Sequence, residues 1–111
     1  MEIPTASVSG VPDPLPDGLL VLDVREDEEW RAGHVEGSLH IPLMQLGARY
    51  LELRDAEQTL VVCRVGSRSA YAADFLIQQG IEAVNLDGGL VAWAAAGRPL
   101  VADDDHPPTV L

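Results

Sequence analysis

Cys63 is the only cysteine in a chain of 111 residues, and it opens the run Cys-Arg-Val-Gly-Ser-Arg-Ser at positions 63–69, directly after the apolar stretch at 59–62. A strand ending in a sulfur, followed by a short loop that opens a helix, gathers backbone N–H groups and the positive end of the helix dipole on that atom. Such surroundings favour thiolate over thiol, commonly by about one to several pKa units. The residue types therefore point to a nucleophile. Gly66 stands where the loop amides must turn inward around the sulfur, and Ser67 and Ser69 are expected to cap the helix. Arg64 and Arg68 offer forked donors for an oxyanion. Asp23 and Arg25 close a second apolar strand, and ligands of parallel sheets bind beyond the carboxyl ends of the strands. These two are expected to share the sulfur's edge and to support the loop by ion pairing rather than to touch substrate.

The elements that must position these groups follow from the pattern around them. Residues 1–18 carry Pro4, Pro12, Pro14 and Pro16, which oppose a regular helix there and leave room for a short strand near Ala6 to Val8. Leu19 to Val24 and Leu60 to Cys63 are near-continuous apolar runs, the signature of buried parallel strands. Between them, Arg25 to Ala32 predicts a helix with acid at its positive end and Gly33 as its stop. A brief strand at Leu39 to Ile41 and a helix near Leu43 to Leu51 come next. Arg68 to Gln79 predicts a helix with a broad apolar surface from Ala72, Ala73, Phe75, Leu76 and Ile77, while Tyr71, Asp74 and Gln78 share an outward side. Ala83 to Leu86 is a further strand, Asp87-Gly88-Gly89 a turn, and Leu90 to Ala96 a last helix. Strands alternate with helices, which implies an open, mostly parallel α/β sheet in one domain. The segment 102–111 is polar, acidic and Pro-containing, and a flexible tail is expected.

Composition narrows the partners. Eighteen acidic residues face seven arginines and no lysine, a formal net charge of −11. A nucleic-acid binder needs the opposite balance, because phosphate contacts dominate its affinity. A small anionic substrate requires arginine concentrated at its site, and two of the seven flank Cys63. His40 and His106 lack metal-ligand spacing with each other and with Cys63, His34 after the helix stop is expected to hydrogen-bond locally, and Trp30 and Trp93 read as packing residues. The opening residues show neither a basic region nor an apolar stretch of secretory or membrane type, and a lone cysteine suits a reducing compartment. The cytoplasm is the expected location, without membrane association.

Three stretches together resemble the rhodanese-like sulfurtransferases, in the single-domain form: residues 19–43, 61–80 and 84–100, in the family's order. The family's Asp-Val-Arg falls on Asp23 to Arg25, its Gly-His on Gly33-His34, its catalytic cysteine on Cys63, and its Gly-Gly and Ala-Trp on Gly88-Gly89 and Ala92-Trp93. The resemblance implies a rhodanese-like sheet of five strands with helices on both faces, a domain over residues 1–101, and no metal or organic cofactor. It also implies ping-pong catalysis. The thiolate takes the outer sulfur of a donor such as thiosulfate, and a Cys63 persulfide, cradled by residues 64 to 69, yields it to a thiol, to cyanide or to a protein acceptor. A monomer is the expected state. The related phosphatases carry one more residue between cysteine and arginine; here Arg68 follows Cys63 by five positions, a loop that suits one sulfur atom better than a tetrahedral phosphate. The alternatives are a persulfide carrier serving a partner protein and a non-catalytic rhodanese-like binding module.

Overall fold

The computed structural model describes residues 2–111; Met1, the first residue of the expected Pro-rich edge, lies outside them. Five strands, β1 (Thr5–Ala6), β2 (Leu19–Asp23), β3 (Leu39–His40), β4 (Gln58–Val62) and β5 (Ala83–Leu86), form one sheet in the order β1-β5-β4-β2-β3. Every strand pairing in it is parallel. Three α-helices, α1 (Asp27–Ala32), α2 (Leu46–Arg49) and α3 (Ser67–Gln78), lie between successive strands, and α4 (Gly89–Ala95) follows β5.

The two-residue alternation of a strand divides the core. Leu22, Val24, Val61, Cys63 and Ala83 face one side, where Ala72, Ala73 and Leu76 of α3 cover them. Val21, Leu60, Val62 and Leu86 face the other, against Leu90 and Trp93 of α4. Sheet and helices thus form the three layers expected of a parallel α/β domain. Full burial of Leu76 contributes about 1.5–3 kcal/mol.

Local differences from the expected elements have local causes. β1 starts one residue early and gives way to a 3₁₀ turn at Val8–Gly10, which turns Val8 into the α4-side core. The helix expected over Leu43 to Leu51 is instead α2 between two 3₁₀ turns, Leu43–Gln45 and Tyr50–Leu53. Leu43, Leu46, Tyr50 and Leu53 all pack on the α3-side core, and their spacing averages less than 3.6 residues, so a tighter winding aligns them better. Gly33 does end α1, but with φ at 173°, extended backbone open to any residue. Glycine serves there because a Cβ would stand 2.4 Å from the Thr109 carbonyl oxygen. The segment expected to be a loose tail runs back along this side. Just before it, Val101 forms an antiparallel bridge with His34; within it, the Asp103 amide donates to the Arg31 carbonyl at 3.3 Å and the Thr109 amide to the Ala32 carbonyl at 2.9 Å. Among the described residues, no helix is long and apolar enough to cross a membrane.

Candidate active site

β2 and β4 run in register from Leu19 opposite Gln58 to Asp23 opposite Val62, so Arg25 and Cys63 emerge at the same sheet edge. Cys63 follows β4 directly on the α3 side, and its side chain is fully buried. The sulfur is nevertheless surrounded by donors. The Gly66 amide donates to Sγ at 3.1 Å, and the Ser69 hydroxyl lies within donating reach of it at 3.2 Å. Burial pushes the Cys63 thiol up, but the Ser69 hydroxyl and the amides of Ser69, Gly66 and Val65 outweigh it and hold the thiol below its ordinary value.

The inward turn of these amides is built from outside the loop. Leu90 and Val91, at the start of α4, donate their amides to the carbonyls of Cys63 and Arg64 at 2.9 and 3.1 Å. A trans peptide points its N–H opposite to its C=O. Drawing the Arg64 carbonyl towards α4 therefore turns the Val65 N–H towards the sulfur. The approach is so close that a Cβ on Gly89 would lie 2.5 Å from the Arg64 oxygen, and Gly89 has φ of 58°. Both facts demand glycine.

Ser67 and Ser69 do not cap α3. The N-cap is Gly66, at φ 105° and without any side-chain cap; Ser67 is already the first helical residue, and Ser69 turns its hydroxyl to the sulfur and to Asn85. Leaving the cap empty frees the first helical amides for the sulfur. Arg68 spreads its guanidinium over Glu29 of α1, at 2.8 and 2.9 Å. The Arg68 fork pulls the Glu29 carboxyl below its usual range, and Glu29 raises Arg68. Glu29 is itself held in a capping box with Glu26. Arg64 is exposed and donates through Nε to the Leu111 main-chain oxygen at 2.9 Å. Val65 and Ser67 are exposed on the rim.

Asp23 and Arg25 form a fully buried pair with an Nη2–Oδ2 distance of 2.8 Å. Arg25 also donates to the Gly33 carbonyl at 2.7 Å, so the pair fastens the end of β2 to the turn after α1. Its hydrogen bonds stop short of residues 64–69. Three contributors had no label in the residue pattern: Asn85, Glu29, and the α4 amides behind Gly89. Asn85 left the one available trace, a polar residue within an otherwise apolar strand where Asn is disfavoured.

The fold is thus a parallel α/β domain with a donor-ringed cysteine at the carboxyl edge of its sheet. The rhodanese-like domain model matches residues 9–96, and the chain belongs to that family. It is 35% identical to a sulfurtransferase of Allochromatium vinosum over 89 residues, covering 79% of this chain and 83% of that one. It is 32% identical over 81 residues to the thiosulfate sulfurtransferase GlpE of Pseudoalteromonas translucida, covering 72% and 77%. The crystal structure of a rhodanese-related protein from Thermoplasma volcanium superposes with a TM-score of 0.83 at 31% identity, over 90% of this chain and 99% of that chain.

Proposed function

We propose that this chain is a sulfurtransferase that carries sulfane sulfur on Cys63. The Cys63 thiolate attacks the outer sulfur of a donor such as thiosulfate. A Cys–S–S bond forms, the donor's S–S bond breaks, and sulfite leaves with the electron pair. The resulting persulfide anion is held by the amides around Gly66 and by the α3 terminus, which are already oriented and need no rearrangement as charge moves. An acceptor nucleophile, a thiol or cyanide, then attacks the terminal sulfur and releases the Cys63 thiolate. Arg64 and Arg68 receive the donor's sulfonate oxygens, each exchanging its present partner, the Leu111 oxygen or Glu29, for the anion. That local exchange is how a chain with net charge −11 binds an anion at all. The observation that carries this reading is the ring of donors holding the buried Cys63 thiol below its ordinary value.

A persulfide carrier is the second reading. It is favoured by the absence of any other cysteine in the chain that could resolve the persulfide. Incubation with thiosulfate followed by intact-mass measurement tests both. One added sulfur atom, removed by cyanide and absent from Cys63→Ala, is the expected result. Loading by a cysteine desulfurase but not by thiosulfate selects the carrier. Loading by neither overturns the proposal.

A further inference from the structure

Asn85 lies in β5 opposite Val61 of β4, is 6% exposed, and uses both ends of its amide at the sulfur site. Nδ2 donates to the Gly66 carbonyl at 3.1 Å, and Oδ1 accepts from the Ser69 hydroxyl at 2.5 Å. The Gly66 carbonyl fixes which end is which, because a turned amide would set two acceptor oxygens 3.1 Å apart. The Ser69 hydroxyl has one proton and two acceptors in reach, Asn85 Oδ1 at 2.5 Å and Cys63 Sγ at 3.2 Å. It serves one at a time.

We propose that Asn85 is a positioning residue for the sulfur chemistry: it holds Gly66 in place, and its carbonyl keeps the Ser69 proton until Cys63 becomes an anion and draws that proton across. A neutral thiol is a weak acceptor, so the hydroxyl faces Asn85 while the thiol is protonated. Once the thiol has lost its proton to a base in solution, the thiolate is the stronger acceptor. The Ser69 O–H then rotates about its Cβ–Oγ bond, with no covalent bond made or broken, and Asn85 Oδ1 gives up its partner. The gain at sulfur is partly offset by that loss, so Asn85 limits how acidic Cys63 becomes. The limit is useful, because the nucleophilicity of a thiolate falls as its acidity rises. The charged groups around the sulfur loop are Arg64 and Arg68, the Asp23–Arg25 pair at the end of β2, and Glu29 on α1. Their hydrogen bonds reach neither Ser69 nor Asn85.

The inference rests on Cys63 being the reacting sulfur, and its test needs no sulfur donor, so a failed transfer assay leaves it standing. The rate of Cys63 alkylation by iodoacetamide is followed against pH in the wild type, Asn85→Asp, Ser69→Ala and the double variant. A carboxylate at 85 keeps the Ser69 proton more firmly and lacks the donor to Gly66. Asn85→Asp should therefore move the midpoint up by about one unit, a tenfold loss of thiolate well below it. With Ser69→Ala in place, the same change should move it by less than half as much. A shift that is absent, or that keeps half its size or more without Ser69, overturns the proposal. Should the variants fail to fold, the side-chain carbonyl ¹³C resonance of Asn85 in the wild type decides. It should titrate with Cys63 and stay flat in Cys63→Ala, and a flat line in the wild type also overturns the proposal.

Discussion

Helices α3 and α4 begin alike and end up with different tasks. Each follows a left-handed glycine, Gly66 at φ 105° and Gly88 at φ 77°, and neither has a side-chain cap. Free amides at a helix start seek acceptors. Those at the start of α3 find a sulfur; those at the start of α4 find the carbonyls of Cys63 and Arg64. In the proposed sulfur transfer, one terminus would do the chemistry and the other would aim it. The donor ring around Cys63 is thus a product of two helices, only one of which follows the loop directly.

The comparison breaks most readily at Gly89. Gly89→Ala adds a methyl group 2.5 Å from the Arg64 oxygen at φ 58°, so it should cost about a hundredfold in sulfur loading, the scale of a lost oxyanion donor. Gly37 is the control, with φ of 80° but open space around its Cβ. Gly37→Ala should lower stability by about 1–2 kcal/mol in thermal unfolding and leave loading unchanged. Similar loading in the two variants would dissolve the distinction between aiming and chemistry. On the α3 side, Ser69→Ala removes one donor to an anion, worth about 1.5–3 kcal/mol. Loading at neutral pH should fall roughly tenfold to a hundredfold, read as initial rates with thiosulfate.

Smaller effects sharpen the same contrast. Arg68→Ala should weaken thiosulfate use more than Arg68→Lys, because the ammonium keeps the charge and loses the fork; equal rates would remove Arg68 from donor binding. Glu29→Gln frees Arg68 and should cost about 1 kcal/mol or less, since both side chains are partly exposed. The folded Glu29 carboxyl lies below its unfolded value. Its contribution is therefore complete above about pH 4.3 and is lost as pH falls through the depressed value. Thermal unfolding of wild type and Glu29→Gln should converge towards acid. Cys63 is also depressed in the fold, so stability relative to Cys63→Ala should rise with pH from its folded value up to about 8.5. A pH-independent difference would speak against a stabilised thiolate.

The sheet was legible because buried parallel strands announce themselves as apolar runs, and Leu19 to Asp23 and Gln58 to Val62 lie within a residue or two of where those runs placed strands. The loop was legible because a lone cysteine, a glycine and two arginines crowd into seven residues. What supports the loop was not. Leu90 and Val91 act through their main-chain amides, which look the same in every residue. Glu29 meets Arg68 across 39 positions of chain, and in sequence it was one acid among four. Ser69 was read as a cap because serine at a helix start usually is one, whereas the left-handed Gly66 had taken that position.

The pairing of β2 with β4 has a consequence for the sulfur itself. Side chains alternate across a sheet, so removing a single residue from within β4 would send each following one to the opposite layer. Val62 would then point at α3, and Cys63 would be delivered beneath Trp93, out of reach of the Gly66 amide and the Ser69 hydroxyl that now face its sulfur.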